Sequence, residues 1–150
     1  GTWSVLLPMY PLANIPVFQL SLDYDQPPSY HHAIGQQLSA LRQKGVLIVG
    51  SGNLVHNLGA IDWNSTGNGA WDWAVEFDTK FTNWINHGDT KSILDYQKLL
   101  GKTATMAHPT YDHLLPLFYI LGLKHKDDKI QWFNERYDMK SISMRSLMLS

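Results

Sequence analysis

The sequence predicts an α/β domain, with a mixed or parallel sheet flanked by helices. Three observations carry that prediction. Residues 15–22 alternate Val17, Gln19 and Ser21 against Phe18, Leu20 and Leu22, the period of a strand. Ile34, Leu38 and Leu41 then recur at helical spacing, forming one stripe of an amphipathic helix. The apolar run 46–49 follows at once and ends in Gly50-Ser51-Gly52. Strand, helix and strand in this order form a βαβ unit, which calls for parallel strands and a right-handed crossover. Residues 51–56 would then lie at the carboxyl edge of the second strand, where open α/β sheets collect ligands.

In chain order, residues 2–10 carry Trp3, Val5, Leu6 and Leu7 and read as a buried turn, short helix or strand, with Pro8 and Pro11 at the end. Residues 23–28 are turn-rich. Pro27-Pro28-Ser29 sets up a helix over 30–44, with Ser29 as N-cap and Gly45 as C-cap. The run 46–49 reads as a strand buried on both faces. Residues 61–69 are polar and turn-forming. From Ala70 a helix places Ala74, Phe77, Phe81 and Trp84 on one face, with Asp72, Glu76, Asp78 and Lys80 opposite, and His87-Gly88-Asp89 ends it. A shorter helix over 92–100 closes at Gly101, and 102–108 reads as a loop. Thr110 caps a helix from about Tyr111, with Pro116 limiting its early hydrogen bonds and Leu117, Phe118 and Leu121 facing the core. Residues 124–129, KHKDDK, form a charged connection. A late strand over 141–149 buries Ile142, Met144, Leu147 and Leu149. No repeat, low-complexity segment or linker interrupts the chain.

Composition narrows the function classes. The 150 residues suffice for one core, and 44% hydrophobic with 17% charged residues suits a globular domain. A formal net charge of −1 gives no electrostatic basis for nucleic acid or an anionic membrane as partner. The chain has no cysteine, which excludes disulfides, thiolate metal sites and cysteine nucleophiles and agrees with a cytoplasmic setting. No apolar run approaches the ~20 residues of a membrane span. The start, Gly1-Thr2-Trp3, has neither an initiator Met nor a charged leader and reads as a sequence already under way.

The candidate chemistry lies with the histidines. His31, His32, His87 and His125 read as solvated surface residues. His108 precedes Pro109, so its backbone is extended and its ring is a candidate substrate contact. His56 follows the glycine turn and is flanked by Asn57. His113 stands at a predicted helix N-terminus, where the dipole favours the neutral imidazole that binds metals. Both also fit as satisfied structural histidines, and their wide separation matches no local ligand motif such as HxxxH. The GSGN turn lacks the Lys and Ser/Thr of a P-loop, the spacing of a dinucleotide loop and the frame of a GxSxG elbow. Pattern alone therefore reaches an α/β domain with two well-placed histidines.

Three blocks in order add a family resemblance: MYPLANIPVFQLSLD (9–23), LIVGSGNLVHNL (47–58) and HPTYDHLLPLFYILG (108–122). Together they resemble the LigB-type class III extradiol dioxygenases, closest to the 4,5-DOPA extradiol dioxygenase-like branch. The closing SISMRSLML is similar to that branch's C-terminal strand. The resemblance implies that His56 is the acid/base beside the metal, described in this branch also as a ligand, and that His113 is a metal ligand. Asp112 stands where many members have Glu, leaving open which of the two adjacent side chains reaches the ion, and Tyr111 replaces a common Pro. The implied cofactor is a divalent metal, Fe(II) for activity, with Zn(II) possible on the same ligands. The implied reactants are a catechol-type small molecule and O₂. Family members also carry an N-terminal half with GHGSP-like and SAHW-like segments, each giving a metal-binding histidine, and neither occurs here. The whole chain, 1–150, is thus expected to be the C-terminal part of one larger dioxygenase domain, partnered by the missing N-terminal half or a second chain. A non-catalytic binding domain on the same fold and a zinc-dependent hydrolase are the alternatives.

Overall fold

The computed structural model describes residues 2–150. Its core is built by helices that follow the glycine turn. Helix α3 (Asp72–His87) buries Ala74, Phe77, Phe81 and Ile85 along one stripe. Asp72 in its first turn complements the helix dipole, and Gly88, at φ 67°, ends it in the left-handed conformation that glycine adopts without steric cost. Helix α4 (Thr90–Leu94) starts where the Asp89 carboxylate accepts the Ser92 amide. The helix predicted over 92–100 is broken at Asp95 (φ −94°, ψ 13°) into α4 and α5 (Tyr96–Leu100).

Residues 102–108, expected to form a loop, instead contain helix α6 (Lys102–Ala107), which packs Ala104 and Ala107 into the core. Its small apolar residues give a weak periodic signal. Helix α7 begins at Leu115 rather than near Tyr111 and runs to Gly122, with Pro116 in the first turn, where no amide donor is needed. Phe77, Phe81, Tyr96 and Phe118 interlock edge-on and offset at the centre. Each such side chain, fully buried, contributes about 1.5–3 kcal/mol relative to exposure.

The strands of the described residues pair antiparallel. β1 (Ile130–Phe133) pairs with β4 (Ser146–Leu149), and β2 (Tyr137–Asp138) with β3 (Ile142–Ser143). The predicted late strand thus divides in two, and Ser141 and Ser143, rather than Ile142 and Met144, point fully inward. Asp78, expected on the solvent face of α3, is buried there. It accepts hydrogen bonds from Ser143 Oγ at 2.5 Å and Arg145 Nε at 2.7 Å. The spacing 74, 77, 78, 81, 85 puts Asp78 inside the apolar stripe, so the helical period carried this signal.

The first third of the chain is arranged differently. α1 (Thr2–Met9) buries none of its residues. α2 (Pro28–Leu38) starts on Pro27 with no side-chain cap, so Ser29 lies inside the helix. A 3₁₀ turn (Ser39–Lys44) completes the predicted helix and ends at Gly45, φ 76°. His31, expected at the surface, is fully buried. Its Nε2 lies 3.2 Å from the Gln26 carbonyl, which fixes it as donor and leaves Nδ1 to accept from the Tyr119 hydroxyl at 3.0 Å. α2 crosses α7 at two glycines: a Cβ on Gly35 would sit 2.2 Å from the Tyr119 carbonyl oxygen, and one on Gly122 2.2 Å from that of His32.

The expected parallel βαβ pair is not formed among the described residues. Segments 15–22 and 46–49 run without a ladder, and their apolar side chains are open, with Phe18 95% and Leu47 61% exposed. The strand pattern and crossover helix are present; the hydrogen-bonding neighbours that would make them a sheet are not among these residues. The α/β class stands, with small antiparallel sheets in place of a parallel one.

Candidate active site

Residues 53–57, just past the glycine turn, are held from three sides. The Asn53 amide donates to the His113 carbonyl at 3.0 Å, and the His56 amide to the Ala107 carbonyl at 3.0 Å. Asn57 N donates to Ser141 O at 3.2 Å, Ser143 N to Val55 O at 3.0 Å, and His56 forms an antiparallel bridge with Ile142. The Asn53 and Asn57 side chains reinforce this, donating to the carbonyls of Ser143 at 3.1 Å and Met106 at 2.6 Å. Gly52 is required for close approach, because a Cβ there would lie 2.0 Å from the His113 carbonyl oxygen.

The outcome is that His56 and His113, distant in sequence, stack face to face. Their ring centroids are 3.7 Å apart and the planes 8° from parallel. Both rings are half-buried. Partial burial and the neighbouring His113 lower the His56 pKa, with Asp112 opposing them, so the neutral imidazole prevails at pH 7. Asp112 lies beside the pair, Oδ2 3.6 Å from His113 Nε2. Desolvation works against its charge, but hydrogen bonds from the Thr110 side chain and its own backbone, with the two imidazoles, hold the carboxyl below its ordinary range.

The stacking constrains metal binding. An imidazole lone pair lies in the ring plane, and two near-parallel planes 3.7 Å apart cannot both contain one ion. In this arrangement at most one of the two rings can direct its in-plane lone pair at a given ion. Among the described residues no group of three or more His, Asp or Glu is arranged to hold a metal. The donors therefore fit part of a ligand set: imidazole nitrogens with an adjacent carboxylate.

His108, singled out for its position before Pro109, has its ring in the core, 5% exposed and edge-on to Phe77 at 5.3 Å. Its Nε2 donates to the Leu54 carbonyl at 2.8 Å. Burial pushes its pKa down to about 4, so it is neutral under ordinary conditions. Tyr111 stacks on Tyr24 at 4.6 Å and donates to the Tyr24 carbonyl at 3.1 Å, tying the turn after residue 22 to the approach to His113. Sequence reasoning missed that tie, since neither tyrosine lies in a periodic pattern.

A registered pair of imidazoles with a carboxylate beside it, on an α/β frame, has the chemistry to contribute part of a metal site or to move a proton. Comparison with known proteins gives the family. Residues 1–149 match the family model described as the catalytic LigB subunit of aromatic ring-opening dioxygenase, and the chain belongs to that family. It is 36% identical to the 4,5-DOPA dioxygenase extradiol of Escherichia coli K12 over 99% of this chain and 55% of that protein. It is 37% identical to the enzyme of the same name from Mirabilis jalapa over 87% of this chain and 48% of that one. The fold is similar to the crystal structure of an uncharacterized protein from Escherichia coli K12, with TM-score 0.83 and 35% identity over 98% of this chain and 60% of the other. The chain spans about half the length of the curated relatives it matches. No helix among the described residues is long and apolar enough to cross a membrane.

Proposed function

We propose that this chain provides the acid/base histidine and a metal-binding histidine of an extradiol dioxygenase that opens the ring of a catechol, DOPA-like substrate with O₂. The observation that carries the reading is the stacking of His56 on His113 at 3.7 Å, with the His56 imidazole held neutral. In this reading His113 would hold the ion through its in-plane lone pair, with Asp112 adjacent, and His56 would be the proton acceptor. Bound there, Fe(II) supplies Lewis acidity and a redox-active centre for O₂, whereas Zn(II) on the same ligands offers only the former.

The remaining steps belong to the protein. His56, a free base at neutral pH, accepts the proton of a catechol hydroxyl at a ring nitrogen without first losing one of its own. The Asp112 carboxylate stabilises the imidazolium so formed until the proton is returned. The hydrogen bonds of 53–57 keep the ring from swinging away between those events.

We further read the chain as the C-terminal part of one dioxygenase domain, whose remainder seats on the open segments 15–22 and 46–49. Its support is the row of exposed apolar side chains there, beside relatives about twice as long. The test is the complete protein loaded with Fe(II) and given DOPA under air. A yellow semialdehyde should form with O₂ consumption, and His56→Ala should abolish both while the far-UV spectrum is unchanged. Full turnover in that variant would remove the role assigned to His56. Hydrolysis of esters or amides without O₂ uptake would place the site among zinc hydrolases instead.

A further inference from the structure

His108 is a polar side chain buried where an apolar one would pack. Its Nε2 donates to a carbonyl, so the neutral ring carries its lone pair on Nδ1. That nitrogen is buried with no hydrogen-bond partner among the described residues. An orphan acceptor costs free energy that an apolar side chain of similar volume avoids, so packing against Phe77 does not account for a histidine here. The bond the ring does make is placed to matter. It grips the carbonyl of Leu54, two residues before His56, while the adjacent Ala107 carbonyl takes the His56 amide at 3.0 Å. Directly beside Leu54, the Asn53 amide and the Cβ-free Gly52 lie on the His113 carbonyl.

We infer that His108 is a positioning residue: its Nε2–H clamps the Leu54 carbonyl and thereby sets the ring of His56 over that of His113. The clamp ties the start of the 53–57 segment to the end of α6, next to Gly52 and Asn53, which seat the same stretch on His113 just before α7. Without it, Leu54 loses its side-chain tether, and the segment keeps only the main-chain bonds of Asn53, Val55, His56 and Asn57 and the amide side chains of Asn53 and Asn57. The ring of His108 itself is buried in the core against Phe77. The kinetic consequence of this clamp rests on the dioxygenase reading, but its structural consequence does not.

The test compares His108→Gln, which offers a donor near the Nε2 position, with His108→Leu and His108→Phe, which offer none. Each is made in the complete protein and examined in chelator-treated buffer by NMR. Stacking at 3.7 Å places the His56 Hε1 proton over the His113 ring and shifts its resonance upfield. The apolar variants should lose that shift and the glutamine variant should keep it. On Fe(II) loading, kcat should fall by about 100-fold in the apolar variants, the scale expected of a displaced catalytic group, and by only a few-fold in His108→Gln, with KM little changed throughout. A folded apolar variant that keeps the wild-type shift overturns the proposal, as does a glutamine variant as perturbed as the apolar ones. If both apolar variants fail to fold, the glutamine variant decides alone: a retained shift supports the clamp and a lost one refutes it. Absence of ring opening in the wild-type protein would remove the dioxygenase reading and leave the NMR result standing.

Discussion

The two halves of this molecule solve the burial problem in opposite ways. From Leu54 onward, apolar side chains meet one another: Val55, Phe77, Phe81, Leu114 and Phe118 are fully buried, and buried Asp78 has both carboxylate oxygens engaged. Before Gly50 the same residue types stand open, including Trp3, Ile15, Phe18, Leu20 and Leu47. The difference is not one of hydrophobicity but of whether a second layer is present. The helical half supplies its own layer, whereas the extended half has the pattern of an inner sheet and lacks neighbouring strands among the described residues. The candidate active site lies on the boundary between them, and its geometry is set from the finished side.

This contrast can be broken or sharpened by experiment. The largest effect is expected at the boundary itself: His56→Ala should lower kcat/KM of the complete protein by about 10²–10⁴-fold, the usual worth of a general acid/base, with the urea midpoint unchanged. Next come the glycines at the crossing. Gly122→Ala forces a Cβ to within 2.2 Å of a backbone oxygen and should cost about 3 kcal/mol or more in chemical denaturation, the scale of severe overpacking. An unchanged midpoint would mean that α2 and α7 are not locked together.

The finished half also makes a pH prediction. Burial lowers the His108 pKa from 6.5 in the unfolded chain to about 4 in the fold. As pH falls the unfolded chain therefore takes up the proton first, and stability declines from pH 6.5 down to about 4 before levelling. The decline should amount to about 3 kcal/mol, with the lowered His56 pKa acting in the same direction. His108→Gln should flatten this part of the profile.

On the open half, Leu47→Lys distinguishes a true surface from an uncovered core. If the rest of the domain seats there, the complete protein should lose about 2 kcal/mol; a neutral result would make that face ordinary surface. The smallest effect is at a cap, where Asp89→Ala should cost about 1 kcal/mol through loss of the bond to the Ser92 amide.

What was legible in the sequence follows from the same contrast. Helix α3 announced itself because its partners lie within the chain, and the glycine stops at Gly45 and Gly88 were readable from backbone preference alone. The pattern makes 15–22 a strand and 46–49 a strand buried on both faces, but such a pattern states that a strand wants covering, not which residues cover it. His56 and His113 stood out individually. Their stacking did not, since it is produced by main-chain bonds from Asn53 to His113 and from His56 to Ala107, which leave no side-chain pattern. His31 and Asp78 were misplaced because polar residues were assigned outward by type, whereas Tyr119 and Arg145, far along the chain, satisfy them inside.

The glycine crossing of α2 and α7 has a mechanical consequence. α2 follows the open segment 15–22 after the turn at 23–27, and α7 begins two residues after His113. With no side chain between their backbones at Gly35 and Gly122, the two helices have no compressible padding and must travel together. A displacement of α2 is thus passed undamped to α7, whose first residue stands two positions after His113.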